Sequence, residues 1–413
     1  MTVLAPARLP SAFHRLWAAS AVSSLGDGIY LAALPLLAVN LTASPIVLSL
    51  ITAAATLPWL LFGLLGGALV DRWDRRRTMW ITDLARAALV AIPVVAAMTG
   101  SISMPLLIAV AFLLGIGQLF FDTAAQSYLP QLVGRDPALL QRANSRMHGA
   151  GLVGHDFAGP PAGSALFALA RAVPFAVDAV SFLFSALLIR SLPAERGPAA
   201  PARTTSLVAD MREGVRYLLG HRVLLGLSLR PAVGNLAFSA GGAVLVLFAT
   251  KQLGLGTFGF GLLLTVMSIG GLTGTVAARH LGGRLGTGTA LTVTAAIEAA
   301  SQLWLGLSHS PVSAGLAMAV CGGAMSATMV LGPSVRQAIV PQELAGRVGA
   351  AGRILAVVAA PVGAVLGGWL AQEVGLAAPY LFGAAVLLIM TLVTMRMTSN
   401  SRIEEALEEG ARP

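Results

Sequence analysis

Residues 67–79 read GALVDRWDRRRTM, set between the apolar runs PWLLFGLLG (58–66) and WITDLARAALVAIPVVAA (80–97). Two Asp and four Arg fall within seven residues, in a chain of 413 residues that is 56% hydrophobic and only 11% charged. Soluble globular proteins carry about 25% charged residues. A soluble core of this size does not need so much apolar surface, so the chain reads as a polytopic membrane protein and the charged stretch as a loop between two spans.

Outward from that loop, apolar runs of about 18 to 25 residues recur roughly twelve times. The segment 193-PAERGPAAPARTTSLVADMREGVRYLLGHR-222 separates the first six from the last six. It opens rich in Pro and Ala and continues as a charged, amphipathic helical pattern, so it reads as a linker. The expected organisation is a six-helix bundle over 1–192, a cytoplasmic linker over 193–222, a second bundle over 223–396 and a cytoplasmic tail over 397–413. The halves echo each other. Gln126 to Gln131 (QSYLPQ) matches Gln337 to Gln342 (QAIVPQ), Pro161-Ala162-Gly163 matches Pro361-Val362-Gly363, and the Gly67/Asp71-Arg72 spacing has a worn counterpart in Gly274/Ala278-Arg279. Three matches in the same order indicate a duplicated six-helix unit, a transporter architecture.

Net charge is +9. The basic residues form no continuous face, which argues against nucleic acid. All but four of the 27 fall in the N-terminal segment, the even-numbered gaps, the linker or the tail; the exceptions are Arg86, Arg171, Arg230 and Lys251. By the positive-inside rule both termini and the linker are expected in the cytoplasm. The single Cys321 excludes an internal disulfide and a cysteine metal cluster.

Gly67, Asp71, Arg72, Arg75, Arg76 and Arg77 resemble the G-x-L-x-D-R-x-G-R-R-R loop between helices two and three of the major facilitator superfamily. Asp74 stands where that pattern has Gly. The resemblance spans nearly the whole chain and implies an all-α integral membrane fold of twelve helices in two pseudo-symmetric bundles. It also implies that the loop is a conformational latch, in which Asp71 faces the N-terminus of helix eleven and Asp122 is the natural partner of Arg75 or Arg72. Gly159, Pro160 and Gly163 resemble the G-P-x-x-G-G kink motif of exporters and antiporters, with Ser164 at the last Gly and His155 where an earlier Gly is expected. Such a kinked helix with a small-residue face can pack closely against helix eight. The stretches SSLGDGIYLAALPLLA and FAVDAVSFLFSALLI resemble the branch of macrolide efflux and enterobactin export proteins.

An ionisable residue at the centre of a membrane helix costs about 2.5–3.5 kcal/mol, so each needs a reason. Asp27 lies mid-span, with Ser20, Ser23, Ser24 and Tyr30 at helical spacing on its face. A low dielectric favours the protonated form of a carboxyl group. Asp27 is therefore the candidate proton carrier or cation-binding group, against the alternative of a structural carboxylate bonded to nearby hydroxyls. In span five, His155 with Asp156 is a second candidate for proton coupling, or a satisfied packing pair; no further ligands suggest a metal. Arg230 and Asn235 in span seven are expected to face the cavity, Arg230 pairing with Asp27 or a substrate anion, or snorkelling to the cytoplasmic surface. Asp83 and Arg86 read as a mutually neutralising structural pair. Glu298, mid-span in helix nine, has no assigned role.

Gly254-x-Gly256-x-x-Gly259 satisfies a dinucleotide fingerprint, but no strand surrounds it. The spacings Gly63–Gly67, Gly270–Gly274 and Gly363–Gly367 read as helix-packing faces. No GxxxxGK[ST] loop is present, and no nucleophile–base pair or metal-ligand set converges, so neither an enzyme nor a cofactor is expected. The expectation is a monomeric, multi-pass transporter of a bacterial cytoplasmic membrane, exporting a small molecule such as a drug, macrolide or siderophore in exchange for protons. A lipid transporter, a proton-coupled importer and a non-transporting receptor on the same scaffold are the alternatives.

Overall fold

The computed structural model describes residues 9–70, 72–134, 136–193 and 207–410. Four long helices come first: α1 (Ser11–Val39), α2 (Pro45–Val70), α3 (Arg75–Thr99) and α4 (Met104–Val133). The next rod has three parts: α5 (Pro137–Gly151), a π-helical segment (Leu152–Ala158) and α6 (Gly159–Leu169). Then follow α7 (Val173–Arg190), the amphipathic α8 (Leu207–Gly220), α9 (Arg222–Gly242), and the short α10 (Leu245–Leu247) with a π turn (Phe248–Gln252). The chain continues with α11 (Thr257–Leu285), α12 (Thr287–Gly306), α13 (Pro311–Ile339), α14 (Gln342–Glu373), α15 (Ala378–Thr394) and α16 (Asn400–Gly410). Nine helices among the described residues are long and apolar enough to cross a membrane.

Local chemistry sets the ends. Proline occupies the first turn of α4, α7, α13 and α15, where its missing N–H leaves nothing unsatisfied. Gly100 closes α3 in the left-handed region at φ 70°, a conformation that costs glycine nothing. Asp74 accounts for the departure from the family's loop pattern. Its Oδ1 accepts from the Arg77 backbone N–H at 2.6 Å and so caps the N-terminus of α3. A helix start held by a cap has no need of a glycine turn.

The helices form two compact units. The first comprises α1, α3 to α7, α2 from Leu57 onward, and Phe260–Thr265 of α11. The second comprises Ala43–Thr56, α8 to α10, α11 from Val266 onward, and α12 to α16. The division thus passes through α2 and α11 as well as through the linker. One end of the first unit is packed around Phe13, Leu16, Met79, Phe121 and Tyr128. In the second, Leu224, Leu227, Leu291, Leu331 and Val348 gather with Ile403 and Ala406 of α16.

Small residues decide how closely helices approach. A Cβ at Gly270 would strike Ala319, one at Gly274 the backbone of Gly323, one at Gly363 Leu236, and one at Gly367 Ala240. These pairs are the packing faces expected of them. Gly63 differs, since nothing lies within 4 Å of a Cβ placed there. Gly159 and Gly163 of the kink motif pack on Gly28 and Ile29 of α1, while Ser164 and the Pro160 carbonyl meet Gly261 of α11. The small-residue face thus serves both α1 and α11, the eighth span.

In the second unit, the tail is folded back rather than free. Asn400 Oδ1 accepts from the Gly288 and Thr289 N–H groups at 2.8 and 3.2 Å, and its Nδ2 donates to the Leu285 carbonyl at 2.9 Å. One amide therefore caps the end of α11 and the start of α12 together, across Gly286 at φ 77°. The linker helix α8 is tied to α14 by Arg347 Nη1 and Glu213 Oε2 at 2.8 Å.

Candidate functional site

The site grows from Gly26-Asp27-Gly28 on α1. A Cβ at residue 26 would collide with Asp178 and Ser181 of α7, and one at residue 28 with the carbonyls of Gly154 and His155 in the π segment. The two glycines let neighbouring elements close in on either side of Asp27. Asp27 itself keeps 21% of its side chain exposed and faces a cavity of about 680 Å³.

Arg86 reaches Asp27 from α3. Its Nη2 donates to Asp27 Oδ1 at 2.6 Å and to Gln118 Oε1, and its Nη1 lies 3.5 Å from Asp83 Oδ1. The guanidinium sits over the Phe182 ring at 3.9 Å, a cation–π contact in a desolvated setting. Gly117 leaves room for it, because a Cβ there would lie 2.7 Å from Arg86 Cγ. Gln118 Nε2 donates onward to Asp122 Oδ2 at 2.9 Å. A continuous polar chain therefore runs Asp27, Arg86, Gln118, Asp122 along one wall of the cavity. Ser20, Ser23, Ser24, Gln126, Gln141, Asn144 and His148 complete most of the rest, with Phe121, Leu129 and Met147 as apolar patches.

Several expectations are corrected. Arg86 is not a local structural partner of Asp83 alone; it is the counter-ion of Asp27. Arg230 does not take that place. Its donors go to the Leu291 carbonyl, Thr292 Oγ1 at 3.3 Å and Thr398 Oγ1 at 3.0 Å, a buried knot joining α9, α12 and the tail. Asn235 Nδ2 donates to the Ala356 carbonyl at 3.0 Å and ties α9 to α14. Asp122 accepts from Gln118, one turn back on its own helix, and lines the cavity; among the described residues no ion pair joins it to Arg72 or Arg75. Tyr30 shares the face of Asp27 in sequence but packs edge-on against Phe175. His155 Nδ1 and Asp156 Oδ1 are 2.6 Å apart, each more than 40% exposed, on the π segment.

The latch residues are placed in part. Asp71 lies outside the described residues. Arg72 and Arg77 line a second pocket of about 550 Å³ with Trp73 and Phe120, and Arg75 is half-buried at the start of α3. Arg76 donates to the Arg190 carbonyl and Arg15 to the Ser191 carbonyl at 2.6 Å, so two cations meet the negative end of α7. Glu298 also gains a setting, accepting from Thr328 Oγ1 at 2.9 Å between α12 and α13. Among the described residues no group of three or more His, Cys, Asp or Glu could hold a metal ion.

Apolar helices enclosing a polar, charged cavity are the arrangement of a membrane transporter. The chain belongs to the transmembrane secretion effector family of the major facilitator superfamily, whose model matches residues 1–411. It is similar to the multidrug efflux pump Tap of Mycolicibacterium fortuitum, 31% identical over 392 residues that cover 91% of this chain and 93% of that protein. Macrolide efflux protein A of Streptococcus pyogenes is 32% identical over 121 residues, covering 29% of this chain and 30% of its own length. Among solved structures, a bacterial homologue of the iron transporter ferroportin, in an inward-facing state, superposes with a TM-score of 0.76 at 16% identity, covering 95% of this chain and all of that one. That likeness concerns the fold. The protein is a transporter and not an enzyme, and a multi-pass protein of the bacterial cell membrane.

Proposed function

We propose that the protein exports small organic molecules of drug, macrolide or siderophore type across the cytoplasmic membrane, in exchange for protons and by alternating access. One observation carries this reading: Asp27 is open to a polar cavity while paired at 2.6 Å with an Arg86 that is only 3% exposed. A proton or a cationic substrate arriving through the cavity competes with the guanidinium for the same carboxylate, and such competition is the basis of exchange. The names of the similar efflux proteins support the outward direction, as does the kink motif at Gly159, Pro160 and Gly163. Counting the segmented rod of α5 and α6, α12 and α15 as spans gives twelve, with both termini in the cytoplasm.

The test uses everted vesicles with a pH-sensitive dye and a panel of macrolides, siderophores and lipophilic cations. Wild type should show compound-dependent proton movement, and Asp27→Asn should fall to the level of vesicles lacking the protein. Movement that persists in Asp27→Asn would transfer the coupling role to His155 and Asp156. No movement with any compound, despite good expression, would sink the antiport reading and favour lipid transport or a non-transport role.

The loop of Gly67, Asp71, Arg72, Arg75, Arg76 and Arg77 serves in this reading as the latch of one transport state, and Asp122, bonded to Gln118 here, joins it only in that other state. Asp122→Asn should alter the substrate exchange rate measured without a pH gradient. An unchanged rate and unchanged accessibility of cavity cysteines would remove Asp122 from the latch.

A further inference from the structure

The interior of the first unit holds a carboxylate that proton exchange at Asp27 does not use directly. Asp83 lies one turn before Arg86 on α3 with its side chain fully sealed, and its Oδ1 is 3.5 Å from Arg86 Nη1. On the other side of the guanidinium, Asp27 is 2.6 Å from Nη2 and open to the cavity. One buried cation therefore has two counter-ions, a near one that is wet and a farther one that is dry. Phe182 covers a face of the guanidinium at 3.9 Å. Its in-plane donors are left to the carboxylates and to Gln118.

The remaining titratable groups near this pair make contacts of their own. From α7, Asp178 accepts from Ser181 Oγ at 3.3 Å beside Gly26. From α4, Asp122 is held by Gln118, and from the π segment His155 is held by Asp156. Tyr30 of α1 is packed on Phe175. Among the described residues Asp27 and Asp83 are the ion-pair partners of Arg86.

We propose that Asp83 is the reserve counter-ion of Arg86: when Asp27 takes up a proton or a cationic group from the cavity, the guanidinium moves its ion pair to Asp83, and it returns when Asp27 is freed. Breaking a buried ion pair by removing one partner is strongly unfavourable, because it strands the other charge. Without Asp83, loading Asp27 would strand Arg86 in that way. With Asp83, the guanidinium only has to shorten a 3.5 Å separation to hydrogen-bond contact. Asp83 touches neither substrate nor cavity and is a positioning residue. The inference rests on the coupling role proposed for Asp27, but its test does not require transport.

Dicyclohexylcarbodiimide adds to protonated carboxyl groups in apolar surroundings, so its rate of attachment at Asp27 reads how readily Asp27 takes a proton. The full chain in proteoliposomes is treated at mildly acidic pH, and attachment is followed by mass spectrometry per folded molecule. Asp83→Asn should slow attachment at Asp27 on the order of tenfold or more, the effect of an adjacent unshared opposite charge. In an Arg86→Gln background the same substitution should change nothing, since no cation remains to strand. A merely structural Asp83 would lower stability without moving the rate per folded molecule. An unchanged or faster rate in Asp83→Asn overturns the proposal, as does an Asp27 that is never modified in wild type. Should Asp83→Asn fail to fold, Asp83→Glu carries the test, because a charge brought nearer the guanidinium must leave Asp27 at least as reactive as in wild type. A slower rate there overturns the proposal. Absence of compound-driven proton movement in wild-type vesicles would sink the antiport reading alone, and leave the charge exchange standing on the labelling result.

Discussion

Arg86→Met is expected to destabilise the protein by about 3–5 kcal/mol, the cost of removing one partner from a buried ion pair. The substitution keeps much of the side-chain volume, so packing against Gly117 and Phe182 changes little. What changes is charge: Asp27 and Asp83 lose the cation between them, and Gln118 Oε1 loses its donor. Adding Asp27→Asn and Asp83→Asn to the Arg86→Met protein should recover most of the loss, because a neutral, well-packed set is often as stable as a buried ion pair. Thermal unfolding in detergent compares the single and the triple variant. A single variant as stable as wild type, with no gain in the triple, would mean that the cluster is not balanced through Arg86. Arg86→Lys should restore only part of the stability, since an ammonium lacks the planar fork that serves two carboxylates and a glutamine together.

Gly274→Leu is the second large effect. A Cβ at residue 274 falls onto the backbone of Gly323, which cannot rotate away as a side chain can. Overpacking in a close-packed interior costs about 1–3 kcal/mol and occasionally more, and contact with a helix backbone belongs at the upper end. The matched comparison is Gly63→Ala. Gly63 belongs to an identical GxxxG spacing but has nothing within 4 Å of a new Cβ, so removing a flexible glycine from mid-helix should be neutral or stabilise by up to about 1 kcal/mol. The unfolding midpoints of the two proteins should move in opposite directions. A Gly274→Leu protein with a wild-type midpoint would disprove the close crossing of α11 and α13.

The apolar runs make most of the helices legible in the sequence, and the charged loop from Gly67 to Arg77 makes the family legible. Asp27 is legible as well, since a carboxylate at mid-span is costly to bury and stands on a face already marked by serines. Its partner is not. Asp83 and Arg86 satisfy each other at i, i+3 in one dimension, and this hides a bond reaching 59 residues back along the chain. A signal is present in Gln118, Asp122 and Gln126, whose four-residue spacing puts three polar groups on one face of a strongly apolar helix. Arg230 misleads for the opposite reason. Its partners Thr292 and Thr398 are commonplace in sequence, and they converge only because Asn400 folds the tail onto the turn between α11 and α12. The break in span five reads as a proline kink. The structure places a π segment ahead of Pro160, and no single residue type announces one.

That π segment alters what the fifth rod is mechanically. An α-helix turns about 100° per residue, and a π-helix less. Residues Leu152–Ala158 therefore hold roughly one residue more than an α-helix would need for the same turn. The surplus lies where the rod is held against α1, with Gly154 meeting Ser24 and Leu25 and the Gly154 and His155 carbonyls lying against Gly28. His155 and Asp156 fall within that wider turn, so the face they present differs from the one an unbroken α-helix would give them.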